Sequence, residues 1–389
     1  MWINLINNLR YVCGGKILAN ATIVLDIGQF SSKGGFAGED FPSQVFFTIV
    51  GKPKYQDLDK QYGGRNTQEL YVGDEIQSLG LYKIYSPIEN GTIMNWNYFE
   101  KIIDYIFYSL RIDPTLVNIL YAVHPLFPKD DLRKLFELFL EHYQCMAFYP
   151  VLDSLLTLYS GGFQSGLVVS IGDSSTRIVP IYQGYKINHA IKVLDIGGKK
   201  LTKYMKTLLN QIGFVADSSV RKELVRVLKE KACFVSLDYK EDLKRSEQYT
   251  KQYSLPDGAT IELSKERFTL PETLFNPSLI SSEASPLHRA IMDVIDQCDV
   301  DMRTKLLNNI FLSGGSTMFP NFKNRIYQEL ELELARRKKK NTNIRVIAPR
   351  ERTYSVWVGG SILAMIPEFS NNWITRAKYY KEGISSDLI

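Results

Sequence analysis

Three glycine turns in this sequence each follow an apolar run, and each could turn backbone N–H groups toward an anion. The first closes Thr22-Ile23-Val24-Leu25 on Asp26-Ile27-Gly28. The second, 144 residues on, closes Gly166-Leu167-Val168-Val169-Ser170-Ile171 on Gly172 and runs into Asp173-Ser174-Ser175-Thr176. The third follows Ile310-Phe311-Leu312-Ser313 at Gly314-Gly315-Ser316. Concave turns of this kind bind anions through successive amides, and a helix start beside one adds further donors. Two such turns facing each other clamp a polyphosphate from both sides. Lys33, in the strand after the first turn, is placed to reach phosphate. Asp26, at the strand end, suits a metal held through water, because magnesium keeps most of its hydration shell. Each turn alone reads equally well as a structural turn; their recurrence in matching units points to phosphate.

The elements that must position these residues alternate between strands and helices, an α/β pattern. The first apolar strand and the run Gly34-Gly35-Phe36-Ala37-Gly38 form a hairpin. The second unit repeats it, with a return strand through Ile178 to Tyr182. Between them, Tyr98 to Leu110 carries apolar residues at a helical period, as do Leu132 to Tyr143 and Arg221 to Phe234. Pro150 to Tyr159, opening near Asp153, predicts another helix, as does the segment from Asn321. Pro53 to Gln68 is polar and without period, a loop expected to be mobile. Glu241 to Gln252 reads as a charged loop ending at the turn Leu255-Pro256-Asp257-Gly258.

Composition narrows the classes. With 389 residues the chain suits two or three domains, at roughly 100–200 residues each. It is 45% hydrophobic and holds 20 phenylalanines and 23 tyrosines, which excludes disorder. No run of about 18 apolar residues is present, so no helix is expected to span a membrane. The segment Met1 to Ala21 ends in the small-x-small Ala19-Asn20-Ala21 but lacks an apolar core, and reads as an amphipathic extension rather than a leader. Cys13, Cys145, Cys233 and Cys298 lie far apart, which argues against zinc ribbons and redox pairs and for buried reduced thiols. The net charge of +5 comes from one run, Arg336-Arg337-Lys338-Lys339-Lys340. Such a run suits a solvated helix C-terminus, with a docking patch or nuclear address as the other reading, and the absence of a broad basic face argues against direct nucleic-acid binding.

Several motifs, in order along the chain, resemble actin and the actin-related proteins. They are Gly35-Phe36-Ala37-Gly38-Glu39-Asp40, Ile49-Val50-Gly51-Lys52-Pro53, Tyr71-Val72-Gly73-Asp74-Glu75, Pro87-Ile88-Glu89-Asn90-Gly91 with Asn95-Trp96, and Val179-Pro180-Ile181-Tyr182. Later come Val225-Arg226 with Lys229-Glu230-Lys231, Cys298-Asp299-Val300-Asp301, Leu312 to Pro320, and Tyr354 to Ile362. The resemblance implies the actin-like ATPase fold: two lobes, each with an RNase H-like sheet, around a cleft for ATP or ADP and Mg2+. It divides the chain into an extension (1–21), a first lobe (22–158 and 354–389, with a mobile loop at 53–71) and a second lobe (159–353). Carried over by position, Asp26 holds the metal, while Gly28, Gln29 and Lys33 form the first phosphate loop and Gly172, Asp173 and Ser174 the second. Gly198, Arg226, Lys229 and Glu230 line ribose and base, with Gly314, Gly315, Met318 and Phe319 opposite. Thr353 stands where actin has a lysine.

The departures bear on mechanism. Actin's Asp-Asn-Gly-Ser-Gly is here Asp26-Ile27-Gly28-Gln29-Phe30, so a phosphate-contacting serine becomes Gln29, and Phe30 narrows the approach. In the second loop a carboxylate becomes Ser170. The glutamine that positions the attacking water is Asp153, and the neighbouring histidine is Arg177, which cannot act as a base. Losing one positioned polar group costs about 10²–10³ in rate, so Asp153, Ser170 and Arg177 together imply weak or absent hydrolysis. The loop from Pro53 to Tyr71 lacks an apolar tip, and the ending Ser385 to Ile389 does not match actin's. Both argue against actin-like self-assembly, leaving Leu279-Ile280 as the segment similar to a filament contact. Two readings stand: a nucleotide-binding subunit of a cytoskeletal or other multiprotein assembly, cytoplasmic with a nuclear role open, or a polymerising ATPase. A sugar-kinase or chaperone relative is a weaker third, because the motifs are those of actin.

Overall fold

A computed structural model describes residues 21–54, 70–76, 80–216, 219–255, 258–337 and 343–384. Outside them lie the expected extension through residue 20, residues 55–69 of the loop, the centre of the turn at 256–257, Lys338–Lys340 of the basic run, and the ending at 385–389.

The repeat in the sequence is a repeat of topology. Strand Ala21–Ile27 pairs antiparallel with Ser31–Phe36, which pairs with Gln44–Phe47. On its other side it runs parallel to Val117–Val123, which runs parallel to Ala147–Leu152; Ile374–Thr375 closes that edge. The second sheet is built the same way. Gly166–Ile171 pairs antiparallel with Thr176–Tyr182 and parallel with Ile310–Ser313, which runs parallel to Val346–Ile347. Tyr185–Lys186 and Lys192–Leu194 extend the hairpin side. Strands covered on both faces are apolar throughout, and Ile23, Val24, Leu25, Leu167, Val168 and Val169 are fully buried. The α/β class is as expected.

The helix predicted from Tyr98 spans Trp96–Leu110 and buries Phe99, Ile102, Ile103, Ile106 and Phe107 on the first sheet. Asn95 caps it, its side chain accepting the Tyr98 N–H at 3.0 Å. The helix expected from Arg221 spans Ser219–Ala232, and the one after the third turn spans Phe322–Arg336. Arg336 and Arg337, the first cations of the basic run, stand at the helix C-terminus as expected and make ion pairs with Glu333, Asp293 and Asp296, Arg336 staying largely exposed.

Three expectations change. The helix expected from Pro150 begins only at Asp153, because Ala147–Leu152 is the last parallel strand of the first sheet, pairing Pro150 with Tyr121. The segment 132–143 is an α-helix only through Phe136 and continues as a π turn, Glu137–His142. The stretch 241–252 is not a loop. Asp238 caps the short helix Tyr239–Lys244, a 3-10 turn follows, and Lys251–Ser254 pairs with Thr260–Leu263. Leu279-Ile280 ends a 3-10 turn, Pro277–Ile280. Cys145, Cys233 and Cys298 are free and buried, and desolvation pushes their thiols up to about 12, 12 and 11.

One helix pair ties the two sheets. Asp153–Ser160 contributes Leu156 to a cluster with Val24, Leu120 and Trp357, and Leu158 to a cluster with Val168, Val179 and Phe311. Ser355–Ala364 lies against it so closely that a Cβ on Gly359 would stand 1.8 Å from the Leu156 carbonyl. Trp357, fully buried, donates its Nε1–H to the Val24 carbonyl at 3.0 Å. Gly359→Ala must push these helices apart. We expect a loss of about 3 kcal/mol, the upper end of overpacking, read as a lowered denaturation midpoint, with the surface change Lys378→Ala as a neutral control.

Candidate functional site

The two hairpin turns, the third glycine turn and the start of helix Asp153–Ser160 open onto one cavity of about 680 Å³. Every residue singled out from the sequence lines it. From the first hairpin come Asp26, Gly28, Gln29 and Lys33; from the second, Ser170, Gly172, Asp173, Ser174 and Arg177. Asp153, Gly198, Arg226, Lys229, Glu230, Gly314, Gly315, Met318 and Phe319 complete that set, and Thr353 lies beside them.

The hairpins place charges by register. Asp26 and Lys33 are cross-strand partners, and Lys33 Nζ donates to Asp26 Oδ2 at 3.0 Å. The Asp26 carboxylate assigned to a metal is thus already bonded to a lysine, and Lys33 reaches an acid rather than open space. The equivalent pair in the second hairpin is Ser170 and Arg177. Serine brings no charge, and Arg177 has no ion pair among the described residues. Burial lowers its pKa, and the nearby Asp153 opposes that. Asp153 in turn is pushed up to about 6, first by desolvation; Arg177 and a hydrogen bond from Ser154 pull the other way, and Asp26 adds to the rise.

The second turn is built onto a helix. Gly198 N–H donates to the Gly172 carbonyl and Lys199 N–H to the Asp173 carbonyl, both at 2.9 Å, so helix Gly198–Gln211 starts beneath it. Lys229 is buried and donates to Thr202 Oγ1 at 2.9 Å and to the Gly198 carbonyl at 3.3 Å; desolvation lowers its pKa. Arg226 is held by Glu223 and, through both carboxylate oxygens at 2.8 Å, by Glu230. Its guanidinium lies 5.3 Å from the Phe30 ring and 5.2 Å from that of Phe47, a cation–π bridge from helix to first hairpin. Phe30, expected to narrow the phosphate approach, is drawn onto Phe47 and Arg226. No protein atom lies within 4 Å of where a Gly315 side chain would begin, which leaves that backbone open.

Sequence reasoning missed two contributors. His124 follows strand Val117–Val123, at the carboxyl end where open α/β sheets collect ligands; that position was the available signal. It is pulled down to about 4, first by desolvation and then by Arg177. Its two bonds fix the neutral form: Nε2–H donates to the Gly91 carbonyl at 3.1 Å, and Nδ1 accepts the Leu126 N–H at 3.2 Å. The second is the Asn90–Gly91 turn joining Ile88–Glu89 to Thr92–Ile93, both residues at positive φ as a two-residue hairpin requires. A Cβ on Gly91 would stand 2.7 Å from both Arg177 and His124.

Two measurements probe these charges. Because folding raises the Asp153 pKa, its protonated form favours the fold: that stability is full below about pH 4 and is lost as pH rises through about 6. Part of the carboxyl opens onto the cavity, so wild type should lose about 1–2 kcal/mol relative to Asp153→Asn between those values, read from paired urea melts. Ser170→Asp, by giving Arg177 the partner that Lys33 already has, should add about 1 kcal/mol, and the gain should vanish in an Arg177→Met background.

Beyond the geometry, the family model for actin matches residues 17–387, and the chain therefore belongs to the actin family.

Proposed function

We propose that this chain binds an adenine nucleotide, ATP or ADP, with Mg2+ in the cavity, hydrolyses it weakly or not at all, and works as a subunit of a cytoskeletal or other multiprotein complex in the cytoplasm. One observation carries the reading: residues from both hairpins, the third turn and helix Ser219–Ala232, assigned by position from the family pattern, converge on one cavity. Its volume lies within the range of about 300–1,000 Å³ usual for small-molecule sites. We divide the chain into lobes 22–158 with 354–389 and 159–353 and take the cavity as the cleft; the separate strand sets of the two sheets support that division.

The donor set fits the ligand. The turns at Gly28–Ser31, Gly172–Ser175 and Gly314–Ser316 offer amides to phosphates. Lys229 and Glu230 flank the ribose, and Met318 and Phe319 give the base an apolar wall. Magnesium would neutralise phosphate charge, held through water near Asp26. Bonded to Lys33, Asp26 has one oxygen left for that water.

Hydrolysis needs a polar group to orient water and a group to take its proton. Asp153 is ionised above about pH 6 and then repels an anionic phosphate. Arg177 is a permanent cation, and both nitrogens of His124 are already bonded. None of these three side chains offers a free neutral base.

Nucleotide content tests the reading. Chain purified without added nucleotide, denatured and resolved by anion exchange, should release equimolar adenine nucleotide; release of none overturns the proposal. Phosphate release with MgATP should be at least about 10²-fold slower than for a conventional actin.

A further inference from the structure

The two hairpin turns face each other across the cavity, and one side chain joins them. Gln29 extends from the first turn; its Nε2 donates to Asp173 Oδ2 on the second at 3.1 Å. Its Oε1 accepts the Asn90 N–H at 2.9 Å, at the tip of the third hairpin to reach the cavity. Positions 29 and 173 are equivalent in the repeat, so the bond crosses between matching points of the two units.

The two partners dictate the chemistry of what stands between them. A carboxylate requires a donor and a backbone N–H requires an acceptor. A carboxamide supplies both, on a side chain long enough to span the gap. A phosphate supplies acceptors only. In this position it would satisfy Asn90 but face the Asp173 carboxylate, and it would first have to break both bonds.

We propose that Gln29 makes the cavity selective for a nucleoside diphosphate over a triphosphate, its carboxamide occupying the place where a third phosphate would be clamped between the turns. This rests on the nucleotide reading above and narrows it. Arg177 is the group that pulls the other way. It packs beside the same Asn90–Gly91 turn, and the nearby Asp153 carboxylate offsets part of its pull on a third phosphate. Lys33 is held by Asp26, and Lys199 stands 4.0 Å from Glu89 on the rim. Displacing one hydrogen bond to a carboxylate and one to an amide should cost a triphosphate at least about tenfold in affinity. Gln29 acts here by occupying space and satisfying partners, which marks it as a specificity residue.

The test is the ratio of affinities, which a merely structural role would leave unchanged. The full chain is titrated calorimetrically at pH 7.5 with MgADP and with the Mg complex of a β,γ-imido ATP analogue, which resists cleavage. Wild type should bind the diphosphate at least tenfold tighter. Gln29→Ser, which reaches neither partner, should bring the two within threefold, and Gln29→Asn, too short to span both, should do the same should the serine variant not fold. Equal affinities in wild type overturn the proposal, as does a diphosphate preference that persists in both variants. Binding of neither nucleotide overturns the nucleotide reading itself, an outcome distinct from loss of selectivity.

Discussion

The close crossing of helices Asp153–Ser160 and Ser355–Ala364 is the constraint on which the rest depends. Helix backbones can approach this closely only where one of them lacks a side chain, and Gly359 against the Leu156 carbonyl supplies that place. Helix Asp153–Ser160 is also shared: Leu156 faces one sheet's core and Leu158 the other's. The pair therefore fixes how the sheets face, and with them the turns at the ends of their hairpins. A sub-ångström error in that packing would be felt by Asp153, which begins the helix and lines the cavity.

Given that frame, the chemistry of the site follows from what two equivalent hairpins carry at equivalent points. The first keeps an acid opposite a base, and Asp26 with Lys33 neutralise each other. The second has lost the acid, and Arg177 is left with Asp153 as its nearest electrostatic counterpart. Desolvation raises the Asp153 pKa while Arg177 lowers it, and the balance falls near 6. Gln29 and Asp173 break the symmetry in another way, one supplying the donor that the other needs. A repeated unit has become an asymmetric site by changing a few side chains on an unchanged backbone pattern.

Much of this was legible in the sequence because it is local. Apolar runs closing on glycine gave the hairpins, and Phe99 through Phe107 gave a helical face by period alone. The positions lining the cavity were legible through resemblance, since the motifs fix register along the chain. What stayed hidden depends on contacts between distant segments. Pro150 looked like a helix start, but pairing with Val117–Val123 holds it in a strand. The charges of 241–252 read as a loop, yet Asp242 accepts bonds from Ser236 and Tyr249 that fold the segment back on itself. Gln29 was placed in the first phosphate loop as a replaced serine; that its amide spans to a residue 144 positions away is a property of the assembled fold. His124 and Asn90 enter the site for the same reason.

The buried cysteines give the protein a built-in clock for its own breathing. A thiol attacks as thiolate, and at Cys145, Cys233 and Cys298 desolvation keeps that form scarce and out of reach of reagent. They sit in different bodies of the fold: Cys145 in the core of the first sheet, Cys233 and Cys298 in that of the second. The pace at which each is alkylated in the native protein therefore times the transient opening of its own sheet.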